Sequence, residues 1–154
     1  METGGGGADH AARQRWMSVL AKADWGELAP LFEARGDRPD YRYLRAPETG
    51  LVMLRGRMGG TGNPFNMGEA TVTRCAVTTQ AGIAGHAYVM GRNQAHAEAA
   101  AVLDAMLQDG ATRDVVEHDV IAPLEKAAAE RRQSDASRSA ATKVEFFTMV
   151  RGED

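Results

Sequence analysis

Apolar positions along this chain recur with two different periods, and the change of period divides it into blocks. Before residue 36 they recur every three or four residues. Trp16, Val19, Leu20 and Ala23 form one helical stripe, and Leu28, Leu31 and Phe32 form a second. The first helix is expected to start after Asp9, a good N-cap. The second starts at Asp24, with Glu27 three residues on in a capping-box spacing. Gly36 ends it, and residues 37–39 make a turn. From Tyr41 the period falls to two, which reads as strand. Tyr41 to Arg45 is a short strand that Pro47 closes. Residues 48–77 read as two strands joined by a glycine-rich crossover. On its first arm Leu51, Met53, Arg55 and Arg57 share one face, and Val52, Leu54 and Met58 share the other. On the second arm Val72, Arg74 and Ala76 alternate with Thr71, Thr73, Cys75 and Val77. Residues 83–92 make a fourth strand, since Gly82, Gly85 and Gly91 disfavour a helix there.

The helical period then returns. Asn93 caps a third helix that runs to about Gln108, with Gly110 after it in the usual C-terminal position. Ala99, Val102, Leu103 and Met106 make its inner stripe. Thr112 caps another helix through Ile121, and Pro123 restarts it at a first-turn position. Residues 124–141 have helical propensity but almost no apolar stripe, so they read as an exposed arm or as one face of a subunit contact. The chain then turns apolar again at Phe146, Phe147, Met149 and Val150. Those four need a surface, on this chain or on another.

The expected class is α+β: two N-terminal helices, a four-stranded antiparallel meander, then C-terminal helices and an apolar C-terminal arm. Residues 1–8 read as a flexible tail and residues 9–154 as a single domain, with 124–154 a candidate subunit-contacting arm. A chain of 154 residues suits one domain. A net charge of −3 argues against a general nucleic-acid binder. The lone Cys75 precludes an internal disulfide and fits a reducing cytoplasm. No apolar run approaches a membrane span, and the first residues lack the pattern of a secretory signal.

Chemistry is sparse. Gly59, Gly60, Thr61 and Gly62 offer backbone N–H groups beside Arg55, Arg57 and Arg74, an arrangement that could hold an anion. A plain connection between strands with a solvated face would look the same. The loop is no nucleotide fingerprint, because no Gly-Lys-Ser/Thr follows and no helix opens after it. His96 lies in the first turn of the third helix beside Arg92 and Asn93. It reads either as part of a polar cluster where anions are favoured or as an ordinary capping histidine. His96 and Glu98 point to nearly opposite sides, and no paired-histidine or paired-cysteine spacing exists, so a metal site built by this chain alone is not expected. Cys75 reads as a buried small residue. No complete catalytic constellation emerges, and no catalytic residue is assigned.

Several blocks in order, RQRWMSVLA, RAPETGLVMLRGRMGGTGNPF, GEATVTR, GRNQAHAE, VIAPLE and FFTMVRG, strongly resemble the PhnG family of the bacterial carbon–phosphorus lyase system. The likeness covers nearly the whole chain. It implies a subunit that works with PhnH, PhnI and PhnL in displacing adenine from ATP by methylphosphonate, giving α-D-ribose 1-methylphosphonate 5-triphosphate. It also implies membership, in two copies, of a core complex with PhnH, PhnI and PhnJ. In that family the nucleosidase-type chemistry is attributed to PhnI and the radical cleavage to PhnJ, so ATP is a substrate of the complex and this chain binds no cofactor alone. No established PhnG catalytic residue carries over. Arg55, Arg57, Gly59, Gly60, Thr61, Gly62, Arg74, Arg92 and His96 stand as phosphate-binding candidates on physical grounds, and Phe146, Phe147, Met149 and Val150 as subunit-contact candidates.

Overall fold

The computed structural model describes the backbone of residues 5–147 and the side chains of residues 9–142. The order of elements is α1 (Gly5–Lys22), α2 (Trp25–Glu33), β1 (Tyr41–Arg57), β2 (Pro64–Thr79), β3 (Ala84–Met90), α3 (Gln94–Gln108), α4 (Arg113–Val116), a π-helical turn (Glu117–Ile121) and α5 (Ala122–Phe147). The chain is α+β as expected, but the sheet has three strands, ordered β1-β2-β3 and antiparallel throughout.

The expected four-stranded meander is therefore corrected. The first two expected strands are one, because Pro47 does not end β1. Register shifts on either side of Arg45 leave extra residues on β1 opposite β2. Pro47 falls within this bulged stretch of an edge strand, where a missing N–H breaks no necessary ladder bond. At the other end α1 begins at Gly5 rather than after Asp9. Two of the four expected caps form: the Asp24 side chain accepts from Gly26 N at 2.8 Å, and Asn93 from His96 N at 2.9 Å. The Thr112 hydroxyl instead donates to Met106 O at 2.6 Å, which ties the loop after α3 back onto it.

One helix organises the core. From Ala99 to Leu107 every residue of α3 is buried, so it packs on all sides rather than along one stripe. Cys75, Val77, Ala87 and Val89 of the sheet lie below it, and Trp16, Leu20, Leu28, Val116, Val120, Ile121 and Leu124 close over it. Gly85 marks where α3 and β3 meet backbone to backbone. A Cβ there would stand 1.9 Å from the Ala101 carbonyl oxygen. Asp104, 0% exposed, joins three elements. It accepts from Arg13 at 2.9 Å, from Trp16 Nε1 at 2.9 Å and from the His86 backbone N–H at 3.0 Å.

All the helices lie on one side of the sheet. The opposite face carries Arg45, Glu48, Arg74, Tyr88 and Met90, and none of the described elements covers it. From Glu130 to Thr142, α5 is exposed all round, as its unstriped sequence requires. Its Arg131 bonds both carboxylate oxygens of Glu27, at 2.6 and 2.7 Å, near the root of this projection. Met149 and Val150, and the side chains of Phe146 and Phe147, lie outside the described residues.

Candidate functional site: an open sheet face and a projecting hairpin

β3 pairs with β2 only from Val72 to Thr78, with a last backbone bond from Gly91 N to Thr71 O at 2.8 Å. Beyond that level β1 and β2 continue alone, as a ribbon of residues 51–57 and 64–71. Seven residues of strand project roughly 23 Å. At the tip, Gly59 (φ 62°) and Gly60 (φ 77°) adopt the left-handed region, and Gly62 N donates to Met58 O at 3.1 Å. The glycine-rich connection is thus a tight hairpin link. Met67 is an extra residue on β2, and it lies across Gly56, where a Cβ would come within 2.2 Å of its sulfur.

The ribbon is apolar on both faces and buried on neither. Leu51, Met53, Met58 and Met67 are 61–76% exposed, and Val52, Leu54 and Phe65 are also exposed. Tyr88 and Met90 extend this surface onto the uncovered sheet face, beside a shallow cleft of about 260 Å³ lined by Glu48, Val52, Val72, Arg74 and Tyr88. A two-stranded ribbon on its own is marginal in water, and contiguous apolar exposure on this scale marks a contact surface.

The phosphate-binding candidates do not converge. Arg55 and Arg57 lie near the ribbon tip with the four loop residues. Arg74 lies opposite Glu48, seven β1 residues or roughly 23 Å back from Arg55. There Arg74 Nε and Arg45 Nη1 both bond Glu48 Oε1, at 2.6 and 2.5 Å, and they hold that carboxyl below its usual range. Arg92 follows β3, at the root of the ribbon. His96 is buried: its ring stacks on Trp25 with centroids 5.7 Å apart, and its Nε2–H donates to Leu20 O at 2.7 Å. Its ring joins α3 to α1 and α2.

Two features escaped the sequence reading. One is Glu98, which accepts from the Tyr41 and Tyr43 hydroxyls at 2.5 and 2.7 Å and so fastens β1 to α3. Bonding to that carboxylate pushes the Tyr43 phenol up to about 12, and burial with the same bond raises Tyr41 as well. The other is the apolar ribbon itself. Its signal was present, since Leu51 and Met53 fall on one face and Val52 and Leu54 on the other. Both faces of an exposed hairpin cannot be satisfied by one small domain.

Cys75 is buried, and burial pushes its thiol up to about 11. The expected result is no reaction of the folded chain with Ellman's reagent at pH 8, followed by release of one equivalent of thiolate in guanidinium chloride. Prompt reaction in buffer would mean that the β2–α3 contact opens readily. Among the described residues, no three histidine, cysteine or acidic side chains could share a metal ion, and no helix is long and apolar enough to cross a membrane.

An open-faced α+β domain whose chief exposed feature is an apolar hairpin belongs, by its form, to the class of proteins that complete themselves on another surface. Its family follows from comparison. Residues 11–152 match the family model described as phosphonate metabolism protein PhnG, and the chain belongs to that family. A relative from Rhizobium meliloti (strain 1021), described as alpha-D-ribose 1-methylphosphonate 5-triphosphate synthase subunit PhnG, is 47% identical over 146 residues, covering 94% of this chain and 92% of the relative.

Proposed function

We propose that this chain is a non-autonomous cytoplasmic subunit of the synthase named in its relative, acting with PhnH, PhnI and PhnL. The reaction transfers the ribose 5-triphosphate moiety of ATP to methylphosphonate with release of adenine. Its core complex with PhnH, PhnI and PhnJ holds two copies of the chain. The observation that carries this reading is the ribbon: seven exposed apolar side chains on a hairpin that cannot cover them. Burying an apolar side chain of this size stabilises a contact by roughly 1.5–3 kcal/mol, less the cost of association.

The test replaces Leu51, Met53, Met58 and Met67 together by serine in the co-expressed complex. These side chains are exposed in the isolated chain, so its Tm is expected to move by no more than about 4 °C. Co-purification with the companion subunits is expected to fall at least tenfold, and adenine release with it. Full assembly and parental turnover would overturn the reading.

A second reading gives the ribbon tip a direct part in substrate binding. Neither Arg55 nor Arg57 makes an ion pair among the described residues, and both stand beside a loop rich in backbone N–H groups. Here Arg57→Ala in an intact complex raises the KM for ATP or methylphosphonate. An unchanged KM leaves the purely structural role, in which the chain scaffolds PhnI and contributes nothing to the active site.

A further inference from the structure

We infer that the free edge of β2 at the root of the ribbon, residues 68–71, is a slot for one extended strand of a companion subunit, which continues the sheet where β3 leaves it. The inference rests on the docking role proposed above and adds the mode of contact. Thr79 N donates to Ile83 O at 2.9 Å, and Thr71 O accepts from Gly91 N at 2.8 Å, so the odd-numbered residues of β2 turn their polar backbone groups toward β3. Strand alternation carries the same orientation to Glu69, whose Cα partner on the other side is Met53. Opposite Glu69, however, there is no β3. The chain turns away at Gly91 (φ 90°) to reach the cap of α3. On the far side, the extra residue Met67 ends the regular ladder. The slot is therefore bounded at both ends and, among the described residues, open along its edge. Unpaired strand edges of this kind accept an added strand through main-chain bonds.

The surroundings define the occupant. An incoming strand lies directly against β2, so its alternate side chains stand beside Ala70 and Met90 on one face, and beside Glu69 and Thr71 on the other. It is apolar on the first face and polar on the second. The charged side chain on the slot itself is the exposed carboxylate of Glu69, so a basic residue on the second face of the strand complements it.

The experiment uses the full chain co-expressed with its companion subunits. Glu69→Pro removes one outward N–H, and Glu69→Ala removes only the side chain. The expected result is at least a tenfold loss of affinity for the proline variant and near-parental binding for the alanine variant, with the Tm of each free chain within about 4 °C of the parent. Parental binding by Glu69→Pro overturns the inference. Should proline disturb the ribbon itself, hydrogen exchange of the unaltered complex decides. The Glu69 amide is expected to exchange at least tenfold more slowly in the complex than in the free chain, and an unchanged rate overturns the inference. Cross-links joining the Glu69 edges of two copies of this chain would also overturn it. If the serine variant fails to assemble while Glu69→Pro assembles normally, the docking role stands and edge pairing falls.

Discussion

Gly85→Ala is expected to destabilise the chain by about 3 kcal/mol, the upper part of the usual range for overpacking, and so to lower Tm by roughly 6–12 °C. The added methyl carbon would lie 1.9 Å from the Ala101 carbonyl oxygen and 2.8 Å from Ala105 N. Both are main-chain atoms of a helix buried on every side, so no rotamer change relieves the clash. Either α3 lifts from β3 or the strand bows outward. Both movements disturb the Asp104–His86 contact and the packing of Ala87 and Val89. Gly50→Ala is the matched control. Gly50 lies on β1 with nothing within 4 Å of its would-be Cβ, so its replacement should stay within about 0.5 kcal/mol of the parent. Thermal unfolding of the two variants checks both statements. A Gly85→Ala Tm equal to that of Gly50→Ala would mean that the close helix–strand approach does not hold in solution.

The same contact shows what the sequence could and could not convey. The glycines at 82, 85 and 91 were legible as a sign of strand, yet they serve different ends. Gly82 and Gly91 supply positive φ at the two ends of β3, whereas Gly85 supplies absence of bulk against α3. A one-dimensional pattern records the residue and not the reason. Helix positions were legible because Asp24 and Asn93 cap locally and the apolar stripes are local. The strand count was not, because whether Pro47 ends a strand depends on its being at an edge, which is a tertiary fact. The spacing of the candidate residues was illegible for a similar reason. Period-two alternation can place Arg55 and Arg57 on one face of a strand, but it carries no information about how far along the sheet Arg74 pairs. His96 was rightly placed in the first turn of α3, but its burial under Trp25 depends on how α2 crosses that turn, and nothing within five residues of it encodes that.

Asp104→Ala is expected to be more damaging still, at about 3–5 kcal/mol. In the sequence Asp104 sits between Leu103 and Ala105, with no local signal that sets it apart. In the fold it is wholly buried and receives donors from α1, β3 and its own helix: Arg13, Trp16 Nε1, the His86 amide and, at 3.3 Å, Gln108 Nε2. Truncation removes every acceptor at once. The Arg13 side chain is 33% exposed and can turn to water, so its share of the loss is discounted. The Trp16 N–H, buried with its ring, has no such escape, and a buried orphan costs about 1–3 kcal/mol; the His86 N–H is only partly buried and adds less. Asp104→Asn separates the two contributions. It keeps the shape and one acceptor oxygen, but it turns an N–H₂ toward a group that also donates. It should recover part of the loss, whereas Arg13→Ala should cost much less than either change at Asp104. If urea titrations place Arg13→Ala and Asp104→Ala at equal cost, the ion pair dominates. If Asp104→Ala far exceeds Arg13→Ala, satisfaction of the buried N–H groups is what keeps a carboxylate at the meeting point of α1, α3 and β3. That second result is expected, since a charge pair with one partner in water is weak and a buried donor without an acceptor is not.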